Sequence, residues 1–254
     1  MKIIFLGTGT SAGVPMVACP CAVCASANPK DKRTRTAVYI QTDFGQHLVV
    51  DAGPDFRAQL LRENIQELDA ILLTHSHKDH TAGLDDIRAF NFKYQRAIDI
   101  YATKFSLSVL KKEFHYVFAK KKYPGIPEMN IIHFNKLPFY IGEQRIVPIE
   151  VLHYQMQVFG FRINDFTYIT DANYISEKEK LKLAGTKQLV VNALRIQPHL
   201  SHFNLSQALE LVAEIKPEQA YFTHISHQMG LHTEVQATLP PNVFLAYDGL
   251  QLEL

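Results

Sequence analysis

No apolar run in this sequence is long enough to cross a bilayer as a helix. The one early candidate, Met1-Lys2-Ile3-Ile4-Phe5-Leu6, is broken by Gly7-Thr8-Gly9 too soon for a signal peptide, so it reads as a first strand. An excess of one charge is lacking as well. Lys+Arg 26 against Asp+Glu 25 leaves a net charge of +1, which disfavours nucleic acid held by bulk charge. Cysteine is scarce: there are three, all between positions 19 and 24, an odd number without a secretion signal and therefore no disulfide framework. Cytoplasm is the expected compartment, and metal the expected use of the sulfurs. Neither linker nor repeat interrupts the 254 residues, so a single domain over 1–254 with one large core is expected.

The pattern that is present is β-rich and doubled. Residues 2–6, 37–41, 47–51 and 69–73 read as strands, with a helix opened by Pro54-Asp55 and closed at Asn64. A second series follows, with strands near 139–142, 145–151, 157–163, 166–170 and 188–193, a helix over 205–215 and a strand over 219–223. That helix is the clearest in the chain, with Leu205, Ala208, Leu209, Val212 and Ile215 at helical spacing and Asn204 and Gln207 placed as a capping box. Two successive β-then-α halves predict two sheets face to face with helices outside. Residues 103–136 break the rhythm with a helix-like stretch, the basic run Lys120-Lys121-Lys122 and a Pro/Gly loop. They read either as an insertion on the substrate side or as a solvated helix end and turn.

Histidine is abundant, at 12 residues, and its placement carries the chemistry. Leu72-Leu73-Thr74-His75-Ser76-His77-Lys78-Asp79-His80 sets three imidazoles and a carboxylate directly after an apolar strand, a crowding that suits a shared divalent cation. One segment cannot encircle two metals. Further donors stand at later strand ends: His153, Asp171 and His224, each of which taken alone also reads as a polar turn residue.

His-x-His-x-Asp-His with a distant His, Asp and His resembles the metallo-β-lactamase superfamily along the whole chain. The resemblance implies an α/β fold, a four-layer αββα sandwich. In it His75, His77 and His153 hold one metal, Asp79, His80 and His224 hold a second, and Asp171 bridges them. Asp51, in Val49-Val50-Asp51-Ala52-Gly53-Pro54, matches the family's carboxylate before the first helix, expected to orient a ligand histidine; a plain turn residue is the alternative.

Cys19-Pro20-Cys21-Ala22-Val23-Cys24 offers three corners of a tetrahedral zinc site, and His227 in Thr223-His224-Ile225-Ser226-His227 is the candidate fourth ligand; buried inert thiols are the alternative. This pairing resembles the PhnP group of cyclic phosphate phosphodiesterases and, less closely, the coenzyme PQQ biosynthesis protein B. Leu6-Gly7-Thr8-Gly9-Thr10-Ser11-Ala12-Gly13-Val14-Pro15 and Gly83-Leu84-Asp85-Asp86-Ile87-Arg88 support the PhnP likeness. His202, just before the clear helix, stands where related phosphodiesterases carry a catalytic histidine, with His199 as its competitor.

The expected activity is hydrolysis of small (cyclic) phosphodiesters such as 5-phosphoribosyl 1,2-cyclic phosphate, with a metal-bound hydroxide as nucleophile, His202 giving a proton or a hydrogen bond to the leaving oxygen and Asp79 acting chiefly as a ligand. Two catalytic divalent ions, manganese or zinc with iron as a third option, and one structural zinc are the expected cofactors. A small-molecule phosphodiester is the expected partner, no membrane is expected, and a homodimer is compatible with the sequence. The rivals are another hydrolase of this fold, such as a tRNA-processing nuclease, and a non-catalytic accessory protein like the PQQ protein.

Overall fold

The first strand already shows why the chain must layer. In the computed structural model, which describes residues 1–121 and 123–254, Ile3 and Phe5 face one core while Ile4 and Leu6 face another. A strand apolar on both faces is stable only between two covered surfaces. The first half of the chain supplies β1 (Lys2–Gly7), β2 (Ala37–Gln41), β3 (His47–Val50), β4 (Ala70–Leu72), β5 (Ile98–Ala102) and β6 (Met129–His133). The second half supplies β7 (Phe139–Ile141), β8 (Gln144–His153), β9 (Met156–Ile163), β10 (Phe166–Tyr168), β11 (Gln188–Asn192), β12 (Gln219–Thr223) and β13 (Val243–Leu245). The last strand, β14 (Gln251–Glu253), returns to pair antiparallel with β1.

Two sheets result, in the orders β14-β1-β2-β3-β4-β5-β6 and β13-β12-β11-β10-β9-β8-β7. Each passes from antiparallel to parallel pairing: β1 to β3 and β7 to β10 are meanders, while β3 to β6 and β10 to β13 run parallel. Ile3, Phe5, Val50 and Leu72 of the first sheet meet Phe159, Phe161, Tyr168 and Val190 of the second in the central core. The α-helices are α1 (Ala22–Ala25), α2 (Phe56–Arg62), α3 (Lys78–Thr81), α4 (Arg88–Tyr94), α5 (Lys104–Glu113), α6 (Glu177–Lys180), α7 (Leu205–Ile215) and α8 (His232–Gln236), beside short 3-10 turns. Phe56, Leu60, Phe90 and Leu110 pack on the outside of the first sheet, and Ala208, Leu211, Val212 and Val235 on the outside of the second. The architecture is therefore the αββα sandwich, and no helix among the described residues is long and apolar enough to cross a membrane.

The helix α7 begins and ends where its periodicity places it, and the Asn204–Gln207 capping box is formed in both directions. The strands β5, β6, β13 and β14 were not anticipated. Residues 103–136 supply α5 and β6, and their Leu110, Phe114, Val117 and Ile126 sit in the core outside the first sheet. An ion pair of 2.8 Å from Lys78 to Glu113 ties this stretch to the histidine-rich run. Lys122, the last member of the basic run, lies outside the described residues.

Candidate metal centre

Parallel strands of both sheets end on the same side of the sandwich, and the donor side chains sit just past those ends, the usual place for a ligand in such sheets. Asp51 follows β3, His75 comes three residues after β4, His153 closes β8, Asp171 follows β10 by three residues, and His224 follows β12. Asp51, Asp171 and His224 all adopt the left-handed backbone conformation, with φ of 67°, 55° and 54°. For residues other than glycine this costs about 1–3 kcal/mol each and marks a place where the surroundings dictate the turn. Gly53 is required here: a Cβ on it would lie 2.0 Å from the Asp79 carbonyl oxygen, so any side chain would push the Asp79–His80 turn away from β3.

The donors converge. One atom each of Asp79, His80, Asp171 and His224 lies within 4.8 Å of the others, as do those of His75, His77 and Asp171, and those of His153, Asp171 and His202. Asp171 is thus common to all three groups. Its Oδ1 lies 2.9 Å from His224 Nε2, and its Oδ2 lies 3.1 Å from His80 Nε2 and 3.5 Å from His75 Nε2. Asp79 Oδ2 reaches His80 Nε2 at 3.3 Å and His224 Nε2 at 3.7 Å. The His153 ring stands 5.2 Å from that of His77 and 5.9 Å from that of His75, between centroids.

A layer of hydrogen bonds behind the donors fixes which ring nitrogen faces inward. Asp51, fully buried, accepts from His80 Nδ1 at 2.7 Å and from the Thr74 hydroxyl at 2.9 Å, and Thr74 Oγ1 in turn lies 2.9 Å from His75 Nδ1. Because the Thr74 proton goes to the carboxylate, its oxygen accepts from His75, and both rings turn Nε2 to the centre, where a bound cation would take the place of the proton that His80 Nε2 otherwise directs at Asp171. His153 Nδ1 donates to the Ser201 carbonyl at 2.8 Å with the same effect. Thr74 and the Ser201 carbonyl were missed as orienting groups. A hydroxyl immediately before His75 was a usable signal for the first; a backbone carbonyl leaves none.

These residues fit divalent cations. His75 Nε2 and His224 Nε2 are buried without a hydrogen-bond partner, although His224 Nε2 stands only 2.9 Å from Asp171 Oδ1: close, yet off the hydrogen-bond direction. Among the described residues the carboxylates of Asp51, Asp79 and Asp171 have only histidines as ion-pair partners. Three carboxylates in so buried a place require positive charge. In the metal-free chain protons supply it: burial opposes charging of His80 and His224, yet Asp171 and its neighbours hold His80 well above the usual imidazole range and His224 at about 9. Burial also opposes ionisation of Asp171 and Asp79, but facing His224 and His80 holds both below the usual carboxylate range. Burial takes His75 well below the usual value, and lowers His77.

His202 joins the centre rather than standing apart. Its ring lies 4.5 Å from that of His153 and stacks at 4.8 Å on His224, its Nδ1 is buried without a partner, and burial pushes it down to about 2. His199 is farther out: its ring is 5.3 Å from His202, and its Nδ1 accepts from the Ser201 amide at 3.3 Å.

The cysteines form a second cluster. Cys19, Cys21, Cys24 and His227 bring one donor atom each within 4.8 Å, with Cys19 Sγ and Cys21 Sγ at 3.4 and 3.3 Å from His227 Nδ1 and no disulfide. The Cys24 amide and then His227 lower the Cys21 thiol to about 6, while burial raises Cys24 to about 11. Four soft donors on one point match a closed tetrahedral zinc site.

Comparison with known proteins places this geometry. A family model described as the β-lactamase superfamily domain matches residues 46–225. A protein of Porphyromonas gingivalis named octanoyltransferase is 38% identical over 253 residues, 99% of this chain and 51% of its own length, so the chain spans about half of that curated relative. The crystal structure of a new diphosphatase from the PhnP family superimposes with a TM-score of 0.92 at 36% identity, covering 100% of this chain and 97% of the other. Zn(2+)-bound PqqB from Methylobacterium extorquens shares the fold, with a TM-score of 0.80 at 20% identity over 100% of both chains.

Proposed function

The chain belongs to the metallo-β-lactamase superfamily and, within it, to the PhnP family of hydrolases, and from that premise we propose that it is a dinuclear metal-dependent phosphodiesterase acting on small, cyclic phosphodiesters such as 5-phosphoribosyl 1,2-cyclic phosphate. The observation that carries this reading is the position of Asp171, within ligand distance of both His75/His77 and Asp79/His80/His224. In this reading His75, His77 and His153 hold one ion, Asp79, His80 and His224 hold the other, and Asp171 lies between; Cys19, Cys21, Cys24 and His227 hold a structural zinc. Bound divalent ions, manganese, zinc or iron, would neutralise phosphoryl charge and provide a nucleophile from water at neutral pH.

The chain's own part is to orient the ligands and to hydrogen-bond the leaving group. Asp51 keeps His80 in one tautomer directly and His75 through Thr74, and the Ser201 carbonyl does so for His153. His202, held between His153 and His224 and kept neutral by burial, is the group placed to donate a hydrogen bond to the leaving oxygen. The test is turnover of an aryl phosphodiester and of ribose cyclic phosphates by metal-stripped protein with and without added Mn2+. Turnover that appears only with metal supports the reading, and no turnover with any divalent ion would replace it with an accessory, non-catalytic role.

The octanoyltransferase relative favours one second reading, a hydrolase half working beside octanoyl transfer on an octanoyl thioester. All three thiols of this chain are gathered around His227, so none is left to carry an octanoyl group, and hydrolysis rather than transfer would be its contribution. An octanoyl thioester in the same assay separates the two readings.

A further inference from the structure

Among the described residues the Gly7-Thr8-Gly9-Thr10 motif makes no hydrogen bond to a donor side chain of the metal centre, yet it pairs with both of the halves that supply them. We propose that Thr8–Thr10 is a staple that fixes where His224 meets Asp79 and His80, with Gly9 and Arg33 as positioning residues; the inference rests on reading His224 as a metal ligand. On one side the Gly9 amide donates to the Thr34 carbonyl at 2.7 Å and its carbonyl accepts from Thr36 at 3.0 Å, on the approach to β2 of the first sheet. On the other side the Ile225 amide donates to the Thr8 carbonyl at 2.9 Å and the Thr10 amide to the Ile225 carbonyl at 3.1 Å. Ile225 is the residue next to His224. Three residues are thus a short strand shared by both sheets, bridged in parallel to Arg35 and to Ile225.

Gly9 has no room for anything larger. A Cβ there would stand 2.8 Å from the Arg33 carbonyl oxygen and 2.9 Å from that of Thr34, so a side chain must move the segment off residues 33–34, and the Ile225 pairing with it. Buried charge locks the staple from behind. Asp248 accepts from the Thr8 amide at 2.9 Å and hydroxyl at 2.8 Å, and from the Thr34 amide and hydroxyl at 2.8 and 2.6 Å. Arg33, buried, donates to the Thr8 hydroxyl at 2.9 Å and to the Ala246 carbonyl, and meets His232 Nδ1 at 3.1 Å. The His232 amide donates to Asp31 at 2.7 Å, which also accepts from Ser26 at 2.6 Å, two residues past Cys24. Such a network is stiff because every member is satisfied, and loss of one leaves a buried charge or dipole without a partner. Asp79 and His80 come from the first half and His224 from the second, so their common point is only as well defined as the joint between the halves.

The experiment is a cobalt titration of the metal-stripped protein, wild type against Gly9→Ala and Thr8→Val, with melting temperature recorded beside it. The thiolate-to-cobalt band reports the cysteine cluster, and the visible bands report the imidazole and carboxylate ions. The expected result is one catalytic ion bound as in wild type and the second bound at least tenfold more weakly in both variants, with kcat recovered at high metal concentration. Equal affinities for both catalytic ions in both variants, or a kcat loss that metal does not restore, would overturn the staple. If wild type itself takes up no ion at His224, the metal reading fails instead. Should Gly9→Ala not fold, Thr8→Val decides alone, since it keeps the backbone pairing and removes only the hydroxyl between Arg33 and Asp248.

Discussion

At the scale of single side chains, Asp51 orients two of the clustered imidazoles without joining the cluster, since it fixes His80 directly and His75 through Thr74. Asp51→Asn keeps the shape but offers one acceptor oxygen where two are used, so His80 or Thr74 loses its orienting partner. Catalytic-metal affinity should fall by about 10–100-fold, the usual effect of such orienting partners, as read by isothermal titration of the metal-free protein. An unchanged affinity would make Asp51 a turn residue and no more. His202 calls for the opposite signature. His202→Ala should keep both catalytic ions by elemental analysis and lose roughly 100-fold or more in kcat, less with a more activated leaving group. Metal lost together with the side chain would show His202 to be a ligand, which its approach to Asp171 and His153 also allows. His75, His153, Asp171 and His224 could be singled out by type and by place after a strand, and the fold brings all four into the clustered groups. The left-handed backbone at Asp51, Asp171 and His224 was not legible, because no local sequence rule demands it; the converging strand ends impose it.

At the scale of elements, legibility followed pattern and locality. The helix α7 carries eleven residues of periodic pattern and its own cap, so its bounds could be read directly. The strands β13 and β14 have three residues each, but so do β4, β7 and β10, which were legible, so shortness alone does not hide a strand; β14 exists because it pairs with β1 at the far end of the chain. The strand β6 is half-exposed at a sheet edge, with its pattern interrupted accordingly. The loop after β12 carries both His224 and His227, and this couples the two donor clusters mechanically. Cys21→Ser should therefore release zinc, lower the melting temperature and weaken the second catalytic ion indirectly. Elemental analysis with a melting curve checks it: unchanged zinc and unchanged melting would return the cysteines to ordinary thiols.

At the scale of the whole molecule, a net charge of +1 conceals an uneven distribution, because Asp79 and Asp171 gather where the two halves meet and buried Asp51 stands behind His80. Either protons or cations must balance them, and this makes the stability of the metal-free chain depend on pH. His224 is the group to follow: its value is about 9 in the folded chain against 6.5 for a free imidazole, raised by Asp171 against the effect of burial. A raised folded value means that the folded state binds the proton more tightly. The stabilisation is complete below about 6.5 and is lost as pH rises through about 9. Protein stripped of the catalytic ions but keeping zinc on the cysteines, so that the Cys21 thiol with its value of about 6 does not oppose the trend, should therefore melt at progressively lower temperature from pH 6.5 to pH 9. Protein also loaded with catalytic divalent metal, its charge balanced by ions instead of protons, should melt higher and hold that temperature across the same window. Parallel thermal melts with and without catalytic metal at half-unit pH steps test this, and a melting temperature without it that stays flat or rises over the window would contradict the charge balance assigned to the site.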